Sequence, residues 1–198
     1  AGTAAVIGLA KVRGMIPSAR AVFDVLHRSE FRISTEVIRT VLARAGELAY
    51  RQSDYPATIS FAGESLSIYR EIGDMQGIAS ALIKLGNAAM EMGDYAAASE
   101  FLEEALTNWR DLENKHGIAR ALISLGWTAL RSGAYPLAAE RLEQALALSR
   151  ELEDTRSIGF ELSGLGEVTL RQGDTGLAAR LIKESLELRR QLGNKWGI

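Results

Sequence analysis

Residues 85–106, LGNAAMEMGDYAAASEFLEEAL, and residues 125–146, LGWTALRSGAYPLAAERLEQAL, are one pattern written twice. Each opens on Leu-Gly, carries a glycine and then a tyrosine at the same places, and closes on Ala-Leu. Around the first copy, Ile78, Ala81, Leu82 and Leu85 fall at helical spacing, and Ala98, Leu102, Ala105 and Leu106 make a second helical stripe. Gly93-Asp94 lies between the stripes, where glycine can end a helix in the left-handed conformation and aspartate can accept from the free N–H groups of the next. The stretch therefore reads as a tight helical hairpin.

Working outward, the pattern recurs every 40 residues: Gly46, Gly86, Gly126 and Gly166 coincide, as do Leu66, Leu106, Leu146 and Leu186, and Arg70, Arg110, Arg150 and Arg190. The turn column is Ser53, Gly93, Gly133 and Gly173, followed by Asp54, Asp94 and Asp174, and by Tyr55, Tyr95 and Tyr135. A second junction carries Gly73-Asp74, Glu113-Asn114, Glu153-Asp154 and Gly193-Asn194, again with a capping residue before a helix start. Pro56 and Pro136 sit in first turns, which need no N–H from them. Helices are expected at 35–51, 55–72, 75–91, 95–112, 115–131, 135–152, 155–171 and 175–192, preceded by less regular ones at 3–12 and 17–29. The expected organisation is a divergent leading repeat at 1–34, repeats at 35–74, 75–114, 115–154 and 155–194, and the start of a truncated repeat at 195–198, all in one domain. The start at Ala1 and the stop at Ile198 read as the ends of a piece of a longer protein.

The composition narrows the function. With 198 residues, 47% hydrophobic and 24% charged, the chain has the mix of a soluble globular protein. A net charge of −2 and a pI near 5.8 leave out the broad positive field that non-specific nucleic-acid binding needs, so no direct nucleic-acid contact is expected. No apolar run reaches the ~18 to 20 residues of a bilayer span. The absence of cysteine suits a reducing compartment, and cytoplasmic is the expected location. Two histidines, His27 and His116, and no thiol make no metal site, and no nucleotide-binding or nucleophile motif is present. The chain is expected to be no enzyme and to hold no cofactor.

The two quoted strings resemble the tetratricopeptide repeat: Leu85-Gly86, Gly93, Tyr95, Ala98 and Ala105 carry the likeness, which recurs over about three quarters of the chain. The family's usual unit has 34 residues and a proline near its end, whereas here the units are longer and REIGDMQGIA or RDLENKHGIA stands at the link. Long units of this kind look like those of bacterial multidomain transcriptional regulators, and also like those of eukaryotic cargo and polarity adaptors. The resemblance implies an all-α solenoid, a right-handed superhelix of antiparallel helix pairs, stabilised by stacking of neighbours.

It also implies that the first helix of each pair lines a concave groove. Carried over unit by unit, the outward positions are Thr40, Ala43, Glu47, Tyr50 and Arg51; Ser80, Ile83, Asn87, Met90 and Glu91; Arg120, Ile123, Trp127, Leu130 and Arg131; and Phe160, Ser163, Glu167, Leu170 and Arg171. Trp127, with Phe160 one unit on, is the first candidate for an anchor, with filling between units as its alternative role. Asn87 stands where family members bond a ligand's backbone. Lys84 with Arg120 partly fits the family's carboxylate clamp, but Glu47, Phe160 and Gly164 fall where its polar or basic residues belong, so no clamp is expected. The implied partner is a protein or peptide. A small-molecule inducer of an attached transcriptional switch is the alternative, and self-association through an uncapped C-terminal repeat that leaves Trp196 exposed is a third reading.

Overall fold

The computed structural model describes residues 35–193; the helices expected at 3–12 and 17–29, with Pro17 and His27, and the terminal Asn194, Trp196 and Ile198 lie outside them. Among the described residues the chain forms eight helices and no strand: α1 (Thr35–Arg51), α2 (Tyr55–Ile72), α3 (Met75–Glu91), α4 (Tyr95–Asp111), α5 (Lys115–Arg131), α6 (Tyr135–Glu151), α7 (Thr155–Arg171) and α8 (Thr175–Gln191). Each begins and ends within a residue of the stretch expected from the sequence. None of them is long and apolar enough to cross a membrane.

The helix ends follow from the junction residues. A left-handed residue closes every helix, at Ser53, Gly73, Gly93, Glu113, Gly133, Glu153, Gly173 and Gly193, with φ between 51° and 95°. Asp54, Asp74, Asp94, Asn114, Asp154 and Asp174 each accept a hydrogen bond from the backbone N–H three residues on, which satisfies a donor the helix cannot. Ala134, before α6, is the gap in this series and makes no side-chain cap.

Each helix packs on the next in sequence, so α1 to α8 form a continuous stack. The small residues of the repeat permit the closeness: a β-carbon on Gly86 would stand 2.5 Å from Leu102 Cγ, and one on Gly126 would stand 2.6 Å from Leu142 Cγ. Leu82, Leu102, Leu106, Leu142 and Leu162 are wholly buried between helices, each worth about 1.5–3 kcal/mol of transfer from water. The backbones of first helices also approach one another, α1 to α3, α3 to α5 and α5 to α7, whereas those of the second helices do not. Elements that meet on one side and part on the other make a curved stack with the first helices inside. Long side chains bridge the parted second helices, Arg70 to Glu104 at 2.8 Å and Arg141 to Glu103 at 2.9 Å.

The three junctions between pairs differ in chemistry. At α2/α3 the ring of Tyr69 lies where a β-carbon on Gly77 would be, 2.2 Å away, and Trp109 covers Gly117 at α4/α5 in the same way. At α6/α7 the corresponding residues are Ser149 and Ser157, and Glu161 replaces the alanines at 81 and 121. Glu161 is fully buried; Ser149 Oγ donates to its Oε1 at 2.6 Å, and Oε2 has no partner. Burial pushes its carboxyl up to about 7, with Asp154 adding to the rise, and Ser149 and Arg150 opposing it.

Candidate binding groove

The inner face is built from α1, α3, α5 and α7, and two depressions lie on it. The first, about 520 Å³, runs between α1 and α3 and is lined by Thr40, Ala43, Arg44, Glu47, Arg51, Ser80 and Lys84, with Tyr69, Asp74, Gln76 and Gly77 from the end of α2 and the start of α3. Arg51 Nε donates to Glu47 Oε1 at 3.0 Å, one turn apart on α1. Lys84 Nζ donates to the Ala43 carbonyl at 3.0 Å and so ties α3 to α1. Partial burial lowers the Lys84 ammonium below its usual range, Glu47 opposes that, and Arg120 and Arg44 add to it.

The second depression, about 400 Å³, is walled by Tyr95, Trp127 and Tyr135, with Leu130, Arg131, Gly133, Glu167 and Arg171. Arg131 donates to Glu91 across the gap between α5 and α3 at 2.9 Å, a bond that raises its affinity for the proton. Arg171 reaches Glu167 at 3.4 Å on α7. Trp127 packs on Met90 and its neighbours in α3 and also on the cluster around Leu130. Its ring lies 3.4 Å from where a β-carbon on Gly164 of α7 would sit. It therefore joins three successive first helices while leaving an edge in the depression.

The expected groove residues separate accordingly. Glu47, Arg51 and Lys84 line the first depression, and Trp127, Leu130, Arg131, Glu167 and Arg171 line the second. Glu91 borders the second through Arg131. Tyr50 sets its ring edge-on to Tyr55 at 5.7 Å, and burial, then Glu91, raises its hydroxyl above the usual range. Asn87 is half-buried, with no hydrogen bond from its side chain among the described residues. Arg120 is exposed beyond the first depression. Phe160 is exposed at 45% but lies under the Arg189 guanidinium, 4.8 Å from its ring centre, and does not share the cavity of Trp127.

Two outward assignments are corrected. Met90 is only 7% exposed and Ile83 only 2%, the latter drawn into the core between the pairs, whereas Leu130, though 5% exposed, lines the second depression as expected. Met90 is covered by Tyr95 from the turn and by Trp127 from the next unit. Tyr95 and Tyr135, landmarks of the repeat in the sequence, are cavity walls in the structure, and Arg44 is a groove cation the sequence reading missed. The signal was present in the first case, since a tyrosine recurring just after a turn has little reason to be kept on a hairpin alone.

The tetratricopeptide repeat family matches residues 37–111 and 77–151, two spans offset by one 40-residue period. The PIN domain family matches residues 1–47, under a quarter of the chain, and the described part of that span is the start of α1, which packs on α2 as the first helix of a pair. No curated protein matches the sequence. Among solved structures, BtubC (BKLC) from P. vanneervenii is similar over 96% of this chain and 80% of its own, with a TM-score of 0.72 and 18% identity. RapI in its apo form has a TM-score of 0.76 at 16% identity, over 89% of this chain and 64% of its own. A Rap protein complexed with competence and sporulation factor has a TM-score of 0.76 at 17% identity, over 89% of this chain and 48% of its own. The chain thus spans less than two thirds of either Rap protein, and at these identities the likeness is one of fold.

Proposed function

Since the chain belongs to the tetratricopeptide repeat family, we propose that it is a protein-interaction module rather than an enzyme, holding a peptide, helix or domain of a partner against its first helices. The observation that carries this reading is the inner face itself. It offers two neighbouring depressions whose walls combine aromatic rings with arginine, the residue types enriched where binding energy concentrates. The fold it shares with a Rap protein complexed with competence and sporulation factor supports the idea that a stack of this shape can hold a partner.

A photo-crosslinking residue placed at Arg51 or Arg171 on the inner face, and separately at Glu143 or Gln144 on α6, tests the reading in an extract of the source cells. Partner adducts from the inner positions alone are expected; adducts from α6 alone would reject the groove. One observation favours a second reading, a sensor region of a bacterial transcriptional regulator. The cavity at Trp127 has the size of a small-ligand pocket and three aromatic walls. A metabolite that quenches Trp127 fluorescence saturably, in a chain that yields no inner-face adduct, would replace the first reading with the second.

A further inference from the structure

Resting on the reading of the inner face as a binding surface, we propose that the partner segment seated along α1 and α3 is acidic, and that Arg44, Lys84 and Arg120 receive its side-chain carboxylates. The argument is one of uncompensated charge. Among the described residues the first depression has two acids, and both are engaged: Glu47 accepts from Arg51, and Asp74 accepts from the Gly77 N–H as the cap of α3. Arg44 and Arg120 make no ion pair among the described residues, and Lys84 donates to a neutral backbone carbonyl.

An ammonium carries three donors, so Lys84 retains two. A half-buried cation without a carboxylate in contact bears a desolvation cost that an arriving anion relieves. The surroundings act on Lys84 in that sense: burial, Arg120 and Arg44 all disfavour its charge, and Glu47 alone opposes them. The Ser80 hydroxyl, in the same depression, is a further donor to an anion.

The cationic row is local. The chain as a whole is slightly negative, and in the lysine column the later units carry Ser124 and Gly164. Along α5 and α7 the groove arginines at 131 and 171 already have carboxylate partners. An acidic segment is therefore seated at the α1 end, with its less charged continuation toward Trp127. Three cations on a chain of this net charge fall short of the extended basic surface that a nucleic-acid backbone requires, so a peptide carboxylate is favoured over phosphate.

Fluorescence anisotropy with short, C-terminally amidated peptides tests this, comparing a glutamate-rich peptide with the same sequence carrying glutamine. The wild-type chain is expected to bind the glutamate form about tenfold more tightly, and the Arg44→Gln/Arg120→Gln double variant to reduce that preference to under about twofold. Both substitutions are at exposed positions, and an unchanged melting curve identifies the loss as one of binding. Equal binding of the two peptides, or a preference that survives the double variant, would overturn the assignment while leaving the groove to its crosslinking test. Binding of neither peptide would overturn it as well. Tighter binding of a single-stranded oligonucleotide, lost in the same variant, would overturn it in favour of phosphate.

Discussion

The junctions at α2/α3 and α4/α5 are made by a ring laid on a glycine, whereas the junction at α6/α7 is made by a serine holding a buried carboxylate. The residues correspond one for one: Tyr69, Gly73, Gly77 and Ala81 in the first; Trp109, Glu113, Gly117 and Ala121 in the second; Ser149, Glu153, Ser157 and Glu161 in the third. In the first two, the ring fills the space between helices and requires that no β-carbon stand beneath it. In the third the ring is missing, the glycine is no longer needed, and Glu161 reaches from α7 to the Ser149 hydroxyl on α6. One backbone geometry accepts either solution, but the two do not respond alike to their surroundings. The two ring junctions have no carboxyl at their centre, while the third has one pushed up to about 7.

The largest effect should separate the two kinds directly. Trp109→Ala removes a large side chain that is only 3% exposed, and is expected to cost about 3–5 kcal/mol in urea denaturation. Ser149→Ala at the corresponding place should cost only about 1–2 kcal/mol, by leaving Glu161 without its donor. Equal costs at the two junctions would erase the distinction.

Next comes pH. Glu161 in the folded chain titrates near 7, against about 4.3 when unfolded. Between those values the folded state holds a proton that the unfolded state has released, so stability falls as pH rises from about 4.5 to 7, by a total on the order of 3 kcal/mol. Below that window the group adds no slope, and above it the full cost of an ionised, half-satisfied buried carboxylate is in place. Glu161→Gln should therefore slow hydrogen exchange in α7 and α8 at pH 8 by an amount equivalent to about 2–3 kcal/mol, and change it little at pH 5. The same gain at both pH values would contradict the titration of Glu161.

Two smaller tests sharpen the comparison at the turns. Ala134→Asp supplies the cap that its six counterparts have, and should add about 1 kcal/mol to the α5/α6 pair in thermal unfolding. Glu153 holds φ at 55° where Gly73 stands in the first junction. Glu153→Gly should add about 0.5 kcal/mol by relieving the left-handed strain, net of glycine's greater freedom when unfolded. A loss of stability in either variant would mean that the junctions are not interchangeable at their ends.

Much of this was legible in the sequence because a repeat displays its constraints several times. The eight helices follow from columns of apolar residues and from the Asp, Asn and Gly residues between them, which act locally and need no knowledge of the neighbour. Glu47, Arg51, Trp127, Arg131, Glu167 and Arg171 were expected on the inner face from the family resemblance, and they line the two depressions. Burial of Met90 was not legible, because one of the rings that cover it, Trp127, arrives from the following unit, and packing across units leaves no mark inside one unit. The Glu161 site was visible as an acid in a column of alanines. Its partner sits in a different column, where a serine replaces aromatic rings, and only the fold brings the two columns together.

The central claim is that partners are held by the first helices. Chemical-shift mapping of the isotopically labelled chain, titrated with the partner recovered by crosslinking, tests it most directly. The account predicts shifts concentrated on α1, α3, α5 and α7, including Lys84, Trp127 and Arg171. Shifts concentrated on α2, α4, α6 and α8, with those residues unmoved, would contradict it.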